Sequence, residues 1–189
     1  MTEDLKMIHW CKFTEYHKVC DTLGLNGACY SLVFNEEKPS KWQLPSEFQN
    51  CVYIGESAGY YIDKQSGMKT NRRSHLHKRM TQHIGPLING KQASTSHKMI
   101  IETWGQGKSV FDGTLTGCPC WLGLMIPRDD MVDPEACKAW CQYVERQELY
   151  HYIQRWGSHP IGNLDAKSER NPESFSTIAL NNTVELPFV

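Results

Sequence analysis

The stretch Cys51–Leu87, CVYIGESAGYYIDKQSGMKTNRRSHLHKRMTQHIGPL, decides the fold. It opens as a short apolar strand, Val52-Tyr53-Ile54, stopped by Gly55. A polar loop with Gly59, Gly67 and Asn71 follows. Ser74 is placed to cap a helix from His75 to Ile84, with Leu76 and Met80 as its apolar contacts. Gly85-Pro86 is expected to end that helix. Arg79 and His83 are four residues apart and share a helix face. A tyrosine at a strand end, facing an arginine and a histidine on a helix, suits a negatively charged reacting centre.

Charge is distributed unevenly around this stretch. The 189-residue chain has a net charge of −1, so the whole molecule is not a basic nucleic-acid binder. From Lys64 to Ile101, however, there are eight Lys and Arg residues and no Asp or Glu. One positive segment on a neutral chain points to a local polyanion site. Lys64, Lys69, Arg72, Arg73 and Lys78 are the expected phosphate contacts of such a polyanion, which position it without reading its sequence. His75 and His77, two apart, point to different sides of a helix and are not a ligand pair.

Working outward, Gly27–Phe34 (GACYSLVF) alternates as a strand, with Ala28, Tyr30, Leu32 and Phe34 on one face. The span 36–50, with two prolines, is a loop. Residues 2–24 read as one or two helices stopped at Gly24. His97–Trp104 and Trp121–Ile126 are expected strands. Asp133-Pro134-Glu135 opens a helix that runs to about Trp156. On that helix Glu148 falls in the middle of an apolar stripe and Glu145 toward its edge. A carboxylate in an apolar stripe needs a partner, a metal ion or a buried cation.

Apolar residues make up 40% and charged residues 22%, an ordinary globular balance, and no apolar run is long enough for a membrane span. The polar, acidic start does not suit a secretory signal. The eight cysteines are therefore expected to be reduced thiols of a cytoplasmic protein. A second reading is a non-catalytic DNA-binding module organised by zinc at Cys118, Cys120, Cys137 and Cys141.

Taken in order, these elements resemble the GIY-YIG nucleases. Ala28-Cys29-Tyr30 stands where the family has its first motif, with Ala-Cys in place of Gly-Ile. Tyr53-Ile54-Gly55 matches the second motif. Arg79 and His83 fill the arginine and histidine places of the family helix. Glu148 and Pro160-Ile161-Gly162-Asn163 resemble the closing glutamate helix and its Pro-x-x-Asn ending. The resemblance covers residues 27–165, with an insertion at about 88–130, an N-terminal helical extension over 1–26 and a tail over 166–189.

The resemblance implies an α+β fold, with a small antiparallel sheet of three core strands flanked by helices. It implies cleavage of double-stranded DNA with Mg²⁺, for which Mn²⁺ substitutes. The implied site is Tyr30, Tyr53, Arg79, His83, Glu148 and Asn163, with Glu148 on the metal and Glu145 as the alternative. A Type II restriction enzyme, or a phage or mobile-element nuclease, is the expected setting, in a bacterial or phage-infected cell. Cutting both strands calls for a homodimer or higher oligomer.

Overall fold

The computed structural model describes residues 8–23, 27–58, 60–71, 75–88, 94–104, 120–127 and 133–164. Its centre is the strand Gly27–Phe34 (β2), buried at every position. A strand without one polar-facing row must be covered on both sides. It pairs antiparallel with Cys51–Ala58 (β3) on one side and with Cys120–Met125 (β6) on the other. His9–Lys12 (β1) pairs antiparallel with β6, giving the order β1-β6-β2-β3. The fold is therefore α+β, with a four-stranded antiparallel sheet and, among the described residues, four helices.

The fourth strand corrects the expectation of three. His-Trp-Cys-Lys was read into a helix on the spacing of Leu5, Ile8 and Cys11, but Trp10 and Cys11 face opposite sides of the sheet. Trp10 lies over Gly123, where an added Cβ would come within 2.6 Å of its ring. That lock needs a glycine 113 residues away, so no local pattern announces it. The N-terminal stretch is thus part of the sheet, followed by the helix Tyr16–Leu23 (α1). A second small ribbon, Tyr60–Ile62 (β4) with Lys69–Asn71 (β5), occupies the stretch read as loop.

One face of the main sheet carries Tyr30, Leu32 and Leu124 beneath α1 and the helices His75–Ile88 (α2) and Thr95–Trp104 (α3). Leu76, Met80, Ile84 and Leu87 form the buried stripe of α2. Pro86 does not end this helix. A proline removes only its own N–H and crowds the preceding turn, and buried Leu87 holds the last turn to the core. Tyr16 donates to Thr81 Oγ1 at 3.3 Å, and the His17 and His77 ring nitrogens meet at 2.8 Å, docking α1 on α2.

The span 97–104, expected as a strand, is helical. Ser94 Oγ accepts from the His97 N–H at 3.2 Å, an N-cap bond. His97, Ile100 and Ile101 then turn inward at helical spacing.

The other face carries Cys29, Val33, Ile54, Trp121 and Met125 beneath Pro134–Trp156 (α4). Asp133 Oδ2 caps α4 by accepting from the Ala136 N–H at 2.7 Å, and Gly157 ends it with φ of 76°. No helix among the described residues is long and apolar enough to cross a membrane.

Candidate active site

The β2–β3 register sets the two tyrosines side by side. Tyr30 stands opposite Gly55, and Leu32 opposite Tyr53. The Tyr53 ring folds over Gly55 toward Tyr30, and the two rings stack at 5.7 Å between centroids. Gly55 is required for this, because a Cβ there would lie 2.6 Å from Tyr53 Cε1. Gly55→Ala is expected to displace the phenol and cost about 1–3 kcal/mol. Urea denaturation with tyrosine fluorescence would report both effects.

His83 reaches down from α2 to the same place. Its ring centroid is 5.5 Å from that of Tyr53 and 6.1 Å from that of Tyr30. Burial, with Arg79 and His97 beside it, holds its pKa down at about 4. His83 is therefore a neutral imidazole at physiological pH. Burial likewise lifts both phenols above the usual tyrosine range, and the Arg79 charge pulls them back only in part. The Tyr30 hydroxyl lies near the Tyr53 hydroxyl and the Arg79 guanidinium but makes no hydrogen bond of good geometry among the described residues. Phenols with raised pKa do not ionise unaided at neutral pH.

The free edge of β3 completes the site. Ile54, Glu56 and Ala58 point their N–H groups away from β2, and each of the three has a side-chain acceptor beside it. Asn163 Oδ1 accepts from Ile54 N–H at 2.9 Å, and Asn163 Nδ2 donates to Ile54 C=O at 2.6 Å. Glu145 lies against the Glu56 N–H. Glu56 Oε2 accepts from Ala58 N–H at 2.8 Å. An open edge is thereby closed by side chains instead of a further strand.

Asn163 acts here as a clamp. Gly162 beside it is wedged between Val52 and Ile100, with no room for a Cβ. Asn163→Ala leaves both Ile54 groups unpaired, an expected loss of about 1–3 kcal/mol. Faster hydrogen exchange at Ile54 would check it.

The two glutamates of α4 divide the roles. Glu148 does not face the phenols. Only 4% exposed, it accepts from Ser46 N–H at 3.1 Å and lies 4.0 Å from His151 Nδ1. Tyr152 OH donates to Gln49 C=O and Trp156 Nε1 to Ser46 C=O, so this side of α4 grips the loop before β3. The partner needed by a carboxylate in the apolar stripe is a main-chain N–H, and Glu148 is an anchor for that loop.

Glu145, one turn earlier, is the carboxylate in reach of Tyr53, Glu56 and Arg79. Burial and then the Glu56 charge push its pKa up to about 7. Position 145 differs from 148 by three residues, and both sit on the inward side of α4. Helical phase alone does not separate them, because the bend of chain around Ser46 decides which one is covered.

Other expected residues lie elsewhere. Lys64 and Lys78 are exposed, and Lys69 is in β5, while Arg72, Arg73 and the tail lie outside the described residues. Cys120 faces the α1–α2 side of the sheet, whereas Cys137 and Cys141 belong to α4 and pack against Ala58 on the other side. These thiols do not converge on one zinc ion, and Cys118 lies outside the described residues. Among the described residues no three His, Cys, Asp or Glu side chains form a cation cage. Glu145 and Glu56 are near enough for the charge of one to raise the pKa of the other, and carboxylate oxygens are the donor type that Mg²⁺ takes. Compared with known families, curated proteins and solved structures, the chain matches none.

Proposed function

We propose that this chain is a metal-dependent DNA endonuclease of the GIY-YIG type. The observation that carries the reading is the convergence of Tyr30, Tyr53, Arg79 and His83 over one sheet face, with Glu145 at the adjoining strand edge. Two hydroxyls, a guanidinium, a neutral imidazole and a carboxylate match the needs of phosphodiester hydrolysis: a water to orient, a proton to remove and a developing charge to neutralise.

Arg79 holds the non-bridging phosphate oxygens with its planar fork. The bound phosphate offsets the Arg79 charge, which raises the basicity of His83 toward the useful range. The attacking water passes its proton to the Tyr53 hydroxyl as that hydroxyl passes its own to His83. Tyr53 is preferred to Tyr30 because its ring lies nearer to His83 and is less buried. Tyr30, fully buried beneath them, positions the Tyr53 hydroxyl and Arg79. Glu145, with Glu56 beside it, would hold Mg²⁺ or Mn²⁺, which when bound supplies Lewis-acid neutralisation of the phosphate and of the departing 3′ oxygen. The departing 3′ oxygen takes a proton from solvent and His83 returns its own to solvent, so the ends left are a 5′-phosphate and a 3′-hydroxyl.

The partner is double-stranded DNA, approached by the positive segment from Lys64 onward. Paired cuts call for a homodimer or higher oligomer, and the setting is a restriction or phage nuclease in a bacterial cytoplasm. Supercoiled plasmid with Mg²⁺ is expected to be relaxed or linearised, and EDTA to stop it. Plasmid left intact across many sequences would refute the reading.

A further inference from the structure

We infer that His97 is a positioning residue for His83, the acceptor that fixes which His83 ring nitrogen carries the proton. The inference rests on reading the cleft as a hydrolytic centre, although the tautomer measurement below does not.

The Ser94 cap holds His97 in the first turn of α3. From there the ring turns inward and is only 3% exposed. Neither ring nitrogen has a hydrogen-bond partner among the described residues. A buried imidazole with both nitrogens unmatched is unusual and calls for an explanation. The aromatic side chain it meets is His83, edge to face, with 5.5 Å between centroids and 72° between planes. His83 also meets Tyr53 from β3 and Tyr30 from β2, with Arg79 beside it on α2. The turn packed against α3 supplies Ile161, Gly162 and Asn163, none of which titrates.

A neutral imidazole has one N–H and one bare nitrogen. To take a proton from a phenol, His83 must aim its bare nitrogen at the tyrosines. Its N–H must then point the other way, toward α3, where His97 stands. The His83 main chain lies beside the His97 ring and favours a proton there, although burial outweighs it. That leaves the second His97 nitrogen bare for His83. A small turn of the His83 ring converts the edge-to-face contact into an N–H···N bond, in which the bare His97 nitrogen accepts from His83. Without that acceptor His83 divides between tautomers, and the wrong one presents an N–H to the phenols.

Nitrogen-15 NMR of the full chain at neutral pH tests this. Wild type is expected to show one dominant His83 tautomer. His97→Phe, which keeps an aromatic ring but no nitrogen, is expected to show an averaged one. His97→Gln, which keeps an acceptor, is expected to restore it. Plasmid cleavage by His97→Phe is expected to fall about 10- to 100-fold at unchanged DNA affinity, as for residues that orient a primary ligand, and to recover in His97→Gln. If the phenylalanine variant does not fold, His97→Met, of similar volume and without a ring nitrogen, takes its place. A His83 tautomer that is already averaged in wild type, or is unchanged in the folded variant, would overturn the inference. A wild type that cuts no DNA would remove the proposed function and leave the tautomer result to decide this point.

Discussion

Arg79→Ala is expected to slow DNA cleavage by about 10³-fold, the size of effect seen when a donor to a developing oxyanion is lost. Arg79 is half-buried on α2, and its charge acts on Tyr30, Tyr53, His83 and Glu145 together. Such a placement makes it the natural clamp for a phosphate that enters between the phenols and the β3 edge. Lysine is not expected to replace it, because an ammonium lacks the planar fork that grips two oxygens at once. Stability should change little, since Arg79 lies beside the apolar stripe of α2 and not in it. Single-turnover cleavage, with thermal melting as the control for folding, separates a lost clamp from a lost fold. Equal rates for wild type and Arg79→Ala would remove the guanidinium from the mechanism.

The second large effect is on stability and depends on pH. Glu145 has its pKa raised from 4.5 to about 7 in the folded chain. Between those values the native state binds more protons than the unfolded one, so stability falls as pH rises through that window. The expected loss is on the order of 3 kcal/mol. His83 acts in the opposite sense. Its pKa is lowered from 6.5 to about 4, so its contribution is present above the upper value and is lost as pH falls toward the lower one.

Glu145→Gln removes the first effect and leaves the second. The variant is expected to be more stable than wild type at pH 8 and to level off where wild type declines. Mg²⁺ is expected to raise the melting temperature of wild type at pH 8, through preferential binding to the folded state, and to do little for the variant. A Glu145→Gln protein with the same pH slope as wild type would show that the carboxylate does not carry this cost.

The two tyrosines and the arginine–histidine pair were legible because each belongs to a strong local pattern. Alternation in GACYSLVF puts Tyr30 on a definite face, and the four-residue spacing puts Arg79 and His83 on one side of a helix. Gly55 was read as a strand stop, but β3 runs through it to Ala58, and its service to the Tyr53 ring appears only with the side chains in place.

The errors come from contacts distant in the chain. β1 depends on a tryptophan meeting Gly123, a contact that no local pattern shows. The α3 error differs, because the Ser94 cap and the inward spacing of His97, Ile100 and Ile101 are local signals outweighed by the apolar run Met99-Ile100-Ile101. His97 itself stood only at the head of an expected strand, and its burial against His83 gives it another meaning.

In the proposed nuclease Glu145, not Glu148, is the carboxylate of the cleft. Single-turnover cleavage of plasmid DNA by Glu145→Ala and Glu148→Gln, side by side, tests it most directly. The expected result is a loss of about 10³-fold or more for Glu145→Ala, and a rate within about tenfold of wild type for Glu148→Gln, whose amide oxygen still accepts from Ser46. A Glu145→Ala enzyme that cuts like wild type, beside an inactive but folded Glu148→Gln, would contradict it.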